Sequence, residues 1–338
     1  MNIIAAILLF GFIVFIHELG HFLFAKKAGV KVDEFAIGMG PKIYSTKRGE
    51  TNYSIRILPI GGYVSMEGED EDSNDPRSFG QKTILQRFSI LFAGPAFNMI
   101  LAVLLLIPVF LLNGVPSNSN EIGNIIDSSP AQSIGLQSGD KIVQINEVQI
   151  NTFQDIIANL QDVKANESVA LEVDRSGQIL EFNVVPKLNE EGTPMIGISQ
   201  SYDKGVITAL TSSVTMSYEM LKQMLIFVGQ LFTGNVPGGV GNAVSGPLGV
   251  MSLVSDAANQ GIVSLLYVGS MISLNLGVLN LLPIPALDGG RILFTAIEAL
   301  RGGKKINQEL ETKIHLAGLA LLMTFTLFVT YKDILRLF

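Results

Sequence analysis

The sequence lacks cysteine and tryptophan and has only three histidines among its 338 residues. Without cysteine there is no disulfide framework, iron–sulfur cluster, zinc knuckle or thiol nucleophile. Without tryptophan, any aromatic belt at a membrane surface must come from phenylalanine and tyrosine. Charge is also scarce, at 16% of residues, where soluble proteins have about 25%. With 48% hydrophobic residues, the chain is too apolar for disorder and too poor in charge for one soluble domain.

Four apolar segments are long enough to cross a bilayer, whose core needs about 20 residues of helix. They cover residues 1–25, 88–112, 262–282 and 314–330. The first has no basic leader and no small-residue cleavage site, so we expect a retained span rather than a cleaved signal peptide. The sequence therefore predicts a polytopic α-helical membrane protein with about four transmembrane helices.

Lysine and arginine predict how these helices are oriented. Basic residues follow the first span and precede the second and the fourth, and they include Lys26, Lys27, Arg87, Arg301 and Lys313. The positive-inside rule then places residues 26–87 and 289–313 in the cytosol and both termini outside. The stretch 113–261 has 6 Lys/Arg against 15 Asp/Glu, which agrees with an outside location. The net charge of −7 argues against a nucleic-acid partner.

The polar stretch between the second and third spans divides into two parts. Residues 114–187 alternate short β-like runs and turn signals around one helix pattern, which predicts a small α+β domain. Residues 188–261 contain a helical apolar pattern followed by a glycine-rich linker. That helix either packs on a neighbour or lies on the membrane surface. The flanking segments 1–113 and 262–338 form the two halves of the membrane core.

Two of the three histidines lie four residues apart, as His17 and His21, with Glu18 between them. Positions i and i+4 share one face of a helix, so the two imidazoles can hold one zinc ion while Glu18 serves as general base. The alternative is a pair of polar residues satisfied inside a helix bundle. Ionisable residues within a membrane span are costly and usually functional, which favours a metal site.

A catalytic zinc needs a third protein ligand, for which the sequence offers Asp288 or His315. Asp288 is favoured because Pro283 and Pro285 interrupt the helix just before it. Irregular backbone at membrane depth is tolerated where it is buried or lines a wet cavity. The alternative is that Asp288 only caps a helix starting near Arg291.

Three motifs in this order resemble the site-2 protease family of intramembrane zinc metalloproteases, in particular its bacterial RseP/RasP-like group. They are His17-Glu18-Leu19-Gly20-His21, Phe92-Ala93-Gly94-Pro95-Ala96-Phe97-Asn98 and Asn280 to Gly289 with Asp288 in it. The resemblance implies Zn²⁺ bound by His17, His21 and Asp288, with Glu18 as the acid/base. It also implies that Asn280 contacts the substrate backbone or the developing oxyanion.

Residues 35–65 are typical of a cytosolic-side β-hairpin. Family members have a membrane-re-entrant β-hairpin here, whose edge pairs with an unwound substrate. A purely structural hairpin is the alternative. The substrate contacts predicted from the resemblance are Asn280, Pro283, Pro285, Asn52, Tyr53, Ser54 and Ile55.

The insert at 114–187 resembles the PDZ domains of bacterial proteases. The resemblance rests on Ser129-Pro130-Ala131, Gly135-Leu136 and the run from Gly139 to Asn146, although Glu147 stands where glycine is usual. Only one such domain fits in this stretch. It either binds peptides or excludes intact substrates by size.

The resemblance implies cleavage within or near the transmembrane segment of a pre-trimmed single-pass protein, such as an anti-sigma factor or a signal-peptide remnant. The setting would be regulated intramembrane proteolysis in a bacterial cytoplasmic membrane, with the active site near the cytosolic side. Expected partners are this substrate, an upstream site-1 protease and membrane lipid, and no nucleic acid. Two alternatives are an inactive scaffold that binds peptides through the PDZ-like domain and a membrane-anchored zincin with a cytosolic active site.

Overall fold

The computed structural model describes residues 3–69, 73–161, 163, 167–189, 192–236 and 245–337. Contacts within the chain divide it into two compact units. The first unit joins residues 1–109 with 213–338, and the second unit comprises residues 110–212. The chain therefore leaves the first unit near the end of the second long helix, at residue 110, and re-enters it within a later helix, at residue 213.

The helices in chain order are α1 (Ile3–Lys27), α2 (Ile84–Asn113), α3 (Pro130–Ser133), α4 (Phe153–Gln161), α5 (Val206–Thr233), α6 (Pro247–Gln260), α7 (Ile262–Leu281), α8 (Asp288–Leu300) and α9 (Gln308–Leu337). In the described part of the chain, α1, α2, α7 and α9 are long and apolar enough to cross a membrane. This confirms the four predicted membrane helices. Helix α9 extends past the apolar run at both ends. At its N-terminus, Asn307 accepts a hydrogen bond from the Glu309 backbone N–H and caps the first turn.

The strands are β1 (Val32–Arg48), β2 (Thr51–Met66), β3 (Val115–Pro116), β4 (Ile122–Ile125), β5 (Lys141–Ile145), β6 (Val148–Gln149), β7 (Val169–Arg175), β8 (Gln178–Val184), β9 (Lys187–Leu188), β10 (Pro194–Met195), β11 (Ile198–Gln200) and β12 (Tyr202–Asp203). The first two belong to the first unit. The others belong to the second unit, where β6-β5-β7-β8 form an antiparallel sheet.

Close helix contacts in the first unit depend on glycine. A Cβ on Gly20 of α1 would lie 2.5 Å from the carbonyl oxygen of Ala93 in α2. A Cβ on Gly277 of α7 would lie 2.9 Å from the carbonyl oxygen of Pro95. Small residues let membrane helices approach to backbone contact. Helix α2 is therefore held tightly on two sides at the level of its Gly-Pro motif.

Both long strands of the first unit bend, so that their segments lie side by side. Phe35 faces Val64 on one side and Tyr53 on the other, and Tyr53 also faces Thr46. Across the resulting sheet, neighbouring segments lie in this order: residues 62–66, the first part of β1, the first part of β2 and the last part of β1. Among the described residues no further strand pairs with residues 62–66, which we name the edge segment.

A polar cluster fixes these segments to one another. Glu34 accepts hydrogen bonds from Ser54 and Arg56 and forms an ion pair with Lys42. Arg56 also donates to the hydroxyl of Tyr63. Burial opposes ionisation of Glu34, but the hydrogen bonds from these neighbours outweigh it and lower the pKa of Glu34 to about 2. The cluster therefore stays charged at neutral pH.

The second unit contains short strands that the sequence did not predict. Its core gathers apolar residues such as Ile122, Ile142 and Leu171. Strand β11 pairs with β4, and β12 pairs with β3. Strands β11 and β12 lie in the 188–261 segment, for which the sequence predicts a helix and a linker. Strands of two or three residues are too short to show an alternating pattern, so only their long-range pairing identifies them.

Part of the expected glycine-rich linker is helical, since α6 begins at Pro247. The buried carboxylate of Asp333 in α9 accepts hydrogen bonds from the backbone N–H groups of Gly246 and Gly249, at 3.1 and 3.0 Å. A carboxylate at a helix N-terminus satisfies otherwise unpaired N–H groups and complements the helix dipole. Residues 237–244 of the predicted linker lie outside the described residues.

Candidate metal centre

Three donor atoms meet on the inner side of α1. His17 and His21 lie one turn apart, both side chains are buried, and Asp288 opens helix α8 opposite them. The two Nε2 atoms are 3.3 Å apart, and Oδ2 of Asp288 lies 3.2 Å from that of His17 and 3.3 Å from that of His21. In the described part of the chain these three residues form a group able to hold a metal ion.

The spacing of these atoms agrees with tetrahedral zinc. Ligand atoms bound at 2.0–2.1 Å with tetrahedral angles lie about 3.3 Å from one another. Oδ2 of Asp288 is buried without a hydrogen-bond partner. A buried carboxylate oxygen beside two imidazole nitrogens is costly unless a cation joins them. The donor set of two imidazoles and one carboxylate is typical of a catalytic zinc with an open fourth position.

Hydrogen bonds from α2 orient both imidazoles. Nδ1 of His21 donates to the backbone carbonyl of Ile90 at 2.8 Å. Nδ1 of His17 lies 3.2 Å from the side-chain amide of Asn98, which is fully buried and has an amide oxygen without a partner. Turning the amide by 180° lets that oxygen accept from Nδ1–H. Such contacts direct Nε2 of each ring toward the metal.

Glycine in α2 makes room for the second imidazole. A Cβ on Gly94 would overlap Nε2 of His21. Gly20 of α1 lies against the Ala93 carbonyl of α2 in the same region. The two helices therefore meet where the metal donors lie.

Glu18 lines the same cavity, of about 460 Å³, as the three donors. The cavity is also lined by residues 63–66 of the edge segment and by the loop before α8. Val64 of the edge segment lies near the Glu18 carboxylate. A Cβ on Gly62 would lie 3.1 Å from Cγ of Glu18, so glycine lets the strand approach α1. The cavity thus combines metal donors, a carboxylate and a strand edge.

Helix α8 is anchored at both ends of its inner face. Arg87 of α2 and Glu298 form a buried ion pair with Nη2 and Oε1 2.6 Å apart. Arg291, one turn after Asp288, pairs with Glu69 just beyond the edge segment. These contacts fix the helix that carries the third metal donor.

The other residues predicted from the sequence lie away from this cavity. Asn280 is half-buried in the last turn of α7, and it does not line the cavity, nor do Pro283 and Pro285. The four predicted contacts in β2 have neighbouring strands on both sides, so their backbone has no free edge. These four are Asn52, Tyr53, Ser54 and Ile55.

The hairpin predicted at residues 35–65 includes most of the edge segment, but the sequence does not show that this segment has a free edge. Strand β2 continues one residue further, to Met66. The motif that contains Gly94 and Asn98 gave a signal for close packing only. Gly94 makes room for the His21 imidazole, and Asn98 orients that of His17. Both roles depend on the contact between α1 and α2.

Four apolar helices around a His-His-Asp centre with an adjacent glutamate define a membrane-embedded metallopeptidase. The comparisons agree: the model of peptidase family M50 matches residues 5–325, and the chain belongs to this family. It is 34% identical to the regulator of sigma-W protease RasP of Bacillus subtilis, with 100% of this chain and 99% of that protein covered. It is 33% identical to the zinc metalloprotease RasP of Bacillus licheniformis over the same shares. The chain is thus a zinc metalloprotease of the site-2 type, with Zn²⁺ as its cofactor.

Among solved structures, the chain is similar to the PDZ domain of the SdrC-like protein from Listeria monocytogenes. The sequences are 22% identical, and the match covers 25% of this chain and 90% of that domain. The TM-score is 0.23.

Proposed function

We propose that this protein hydrolyses a peptide bond within or near the transmembrane segment of a single-pass membrane protein that another protease has already trimmed. The observation that carries the proposal is the meeting of three metal donors and Glu18 in one cavity between apolar helices. A substrate helix can reach such a cavity only from within the membrane and only after its backbone unwinds.

His17, His21 and Asp288 would hold the zinc ion, since their donor atoms have tetrahedral spacing. Bound zinc lowers the pKa of water and polarises the substrate carbonyl. Glu18 takes the proton from the attacking water and passes it to the nitrogen of the leaving amine. Asn280 remains our proposed contact to the substrate backbone.

The edge segment is the proposed docking strand for the unwound substrate. Residues 63–66 of this segment line the same cavity as Glu18 and the metal donors, and in the described part of the chain the segment pairs only with β1. Its other edge has no neighbouring strand there, and this is the edge that we propose for docking. An added strand gains main-chain hydrogen bonds at this edge and brings its scissile carbonyl beside the catalytic groups. This moves the proposed contact from residues 52–55 to residues 62–66.

Disulfide cross-linking distinguishes these two segments, because the chain has no native cysteine. We expect Ser65→Cys to cross-link with single cysteines placed along the substrate transmembrane segment. Cross-linking should peak at every second substrate position, since side chains alternate along a strand. The matched control is Ile55→Cys, which is 49% exposed but has strands on both sides. Stronger cross-linking at position 55 than at position 65 would contradict docking at the edge segment.

The second unit is proposed to act outside the cytosol as a PDZ-like domain, in the orientation predicted by the basic residues. Its core combines residues of the predicted 114–187 range with Ile196, and the chain re-enters the first unit at residue 213. In this position the domain either binds the trimmed substrate end or excludes untrimmed proteins. Either role fits a pathway in which an upstream site-1 protease acts first and the substrate enters from the surrounding lipid.

The test uses the full chain in lipid vesicles with one single-pass substrate in two forms, intact and lacking its outside domain. We expect cleavage of the trimmed form only, within its apolar segment, as located by mass spectrometry of the fragments. A chelator should stop the reaction, and added zinc should restore it. Cleavage confined to a soluble part of the substrate would refute the proposal.

A further inference from the structure

We propose that His315 is a positioning residue for the metal centre: it holds Ala286 in a left-handed backbone conformation that directs Asp288 at the two histidines. The inference rests on the proposed metal ligands, but its test is separable from peptidase activity. From the sequence, this histidine is the alternative to Asp288 as the third metal ligand. It lies outside the group of metal donors.

The segment between α7 and α8 contains an unusual backbone conformation. Ala286, two residues before Asp288, has φ of +75°. The other described non-glycine residues with positive φ are Ser128, Asn146 and Ser176, all in the second unit. Serine and asparagine can offset this conformation with local side-chain hydrogen bonds, whereas alanine cannot. This conformation is costly for alanine, so other contacts must maintain it.

His315 in α9 makes such a contact. Its Nδ1 accepts a hydrogen bond from the Ala286 backbone N–H at 2.9 Å. Because Nδ1 accepts, the neutral ring has its proton on Nε2, which lies 3.9 Å from a carboxylate oxygen of Glu311. The ring of Phe294 packs against the imidazole with centroids 5.5 Å apart. The imidazole that accepts this hydrogen bond is therefore held in place by both α8 and α9.

Backbone packing closes around the same segment from two sides. A Cβ on Gly318, three residues after His315 in α9, would lie 2.6 Å from the carbonyl oxygen of Pro285. A Cβ on Gly290 in α8 would lie 2.5 Å from the carbonyl oxygen of Ile284. These contacts fix the chain on either side of the peptide that joins Pro285 to Ala286, and the hydrogen bond to His315 fixes the orientation of the peptide itself. Loss of the hydrogen bond would let it turn and would displace Asp288 two residues later.

The first experiment compares zinc affinity of the purified full chain, by competition with a chromophoric chelator, for His315→Ala and His315→Asn. The asparagine oxygen can occupy the place of Nδ1 and accept from Ala286. We expect His315→Ala to bind zinc about 10–100-fold more weakly, as for other residues that orient a metal ligand. His315→Asn should stay within about threefold of the native chain. On the trimmed substrate, His315→Ala should lower kcat and leave KM unchanged, since the edge segment is untouched.

The second experiment adds Ala286→Gly to the His315→Ala variant. Glycine adopts positive φ at little cost, so the double variant should recover most of the lost zinc affinity. The control is Ala299→Gly, at an exposed position of α8, which should recover none. The proposal is overturned if His315→Ala binds zinc like the native chain, or if Ala286→Gly fails to rescue affinity or folding. If the native chain binds zinc but cleaves no membrane substrate, the proposed function fails while this test stays decisive.

Discussion

The Gly94→Ala variant is expected to lose its bound zinc and its peptidase activity. The added methyl group would overlap Nε2 of His21, a proposed zinc donor, across the close contact between α1 and α2. Either the imidazole rotates or the two helices separate, and both movements disturb the spacing of the three donors. We expect zinc affinity to fall at least about 100-fold, at the upper end of losses caused by disturbing a ligand. Metal analysis of the purified chain measures the occupancy.

The matched control is Gly229→Ala. Gly229 also lies within a helix, α5, and a Cβ there would meet no atom within 4 Å. This variant should keep one zinc per chain and the activity of the native protein. Full zinc occupancy in Gly94→Ala would contradict the contact between α2 and His21.

The Glu18→Gln variant is expected to keep its zinc and lose cleavage. Glutamine has nearly the same shape, but it cannot take a proton from water. General acid–base catalysis contributes about 10²–10⁴-fold, and the rate on the trimmed substrate should fall by that factor. Zinc content should stay unchanged, because Glu18 lies outside the group of three donors.

Its control is Glu219→Gln in α5, where the glutamate forms an exposed ion pair with Lys222. Exposed pairs contribute little to stability, so this variant should behave like the native chain. Equal cleavage by Glu18→Gln and the native chain would mean that another group moves the protons.

The sequence predicts best what depends on local spacing. The four apolar runs have the length of membrane helices, and His17 and His21 share a helix face because they are four residues apart. Asp288 could be chosen over His315 because prolines and glycines around it break the helix. The structure brings Asp288 to the histidines and places His315 against Ala286 instead. Each of these predictions needed only the residues of one segment.

What the sequence does not predict depends on contacts between distant segments. Two stretches of β2 resemble strands equally well, and only the pairing of Phe35 with both Val64 and Tyr53 shows which has a free edge. The role of Gly94 likewise requires the position of His21 on another helix. A glycine that makes room for a metal donor and one that packs two helices give the same sequence signal.

Zinc K-edge X-ray absorption of the purified native chain, compared with Asp288→Asn, tests the metal centre most directly. The native spectrum should show one zinc per chain with two imidazoles and carboxylate or water oxygens, four ligands at about 2.0–2.1 Å. Asp288→Asn should lose most of its zinc, and any zinc that remains should have a changed oxygen shell. Full occupancy and an unchanged spectrum in Asp288→Asn would contradict the assignment of His17, His21 and Asp288 as the zinc ligands.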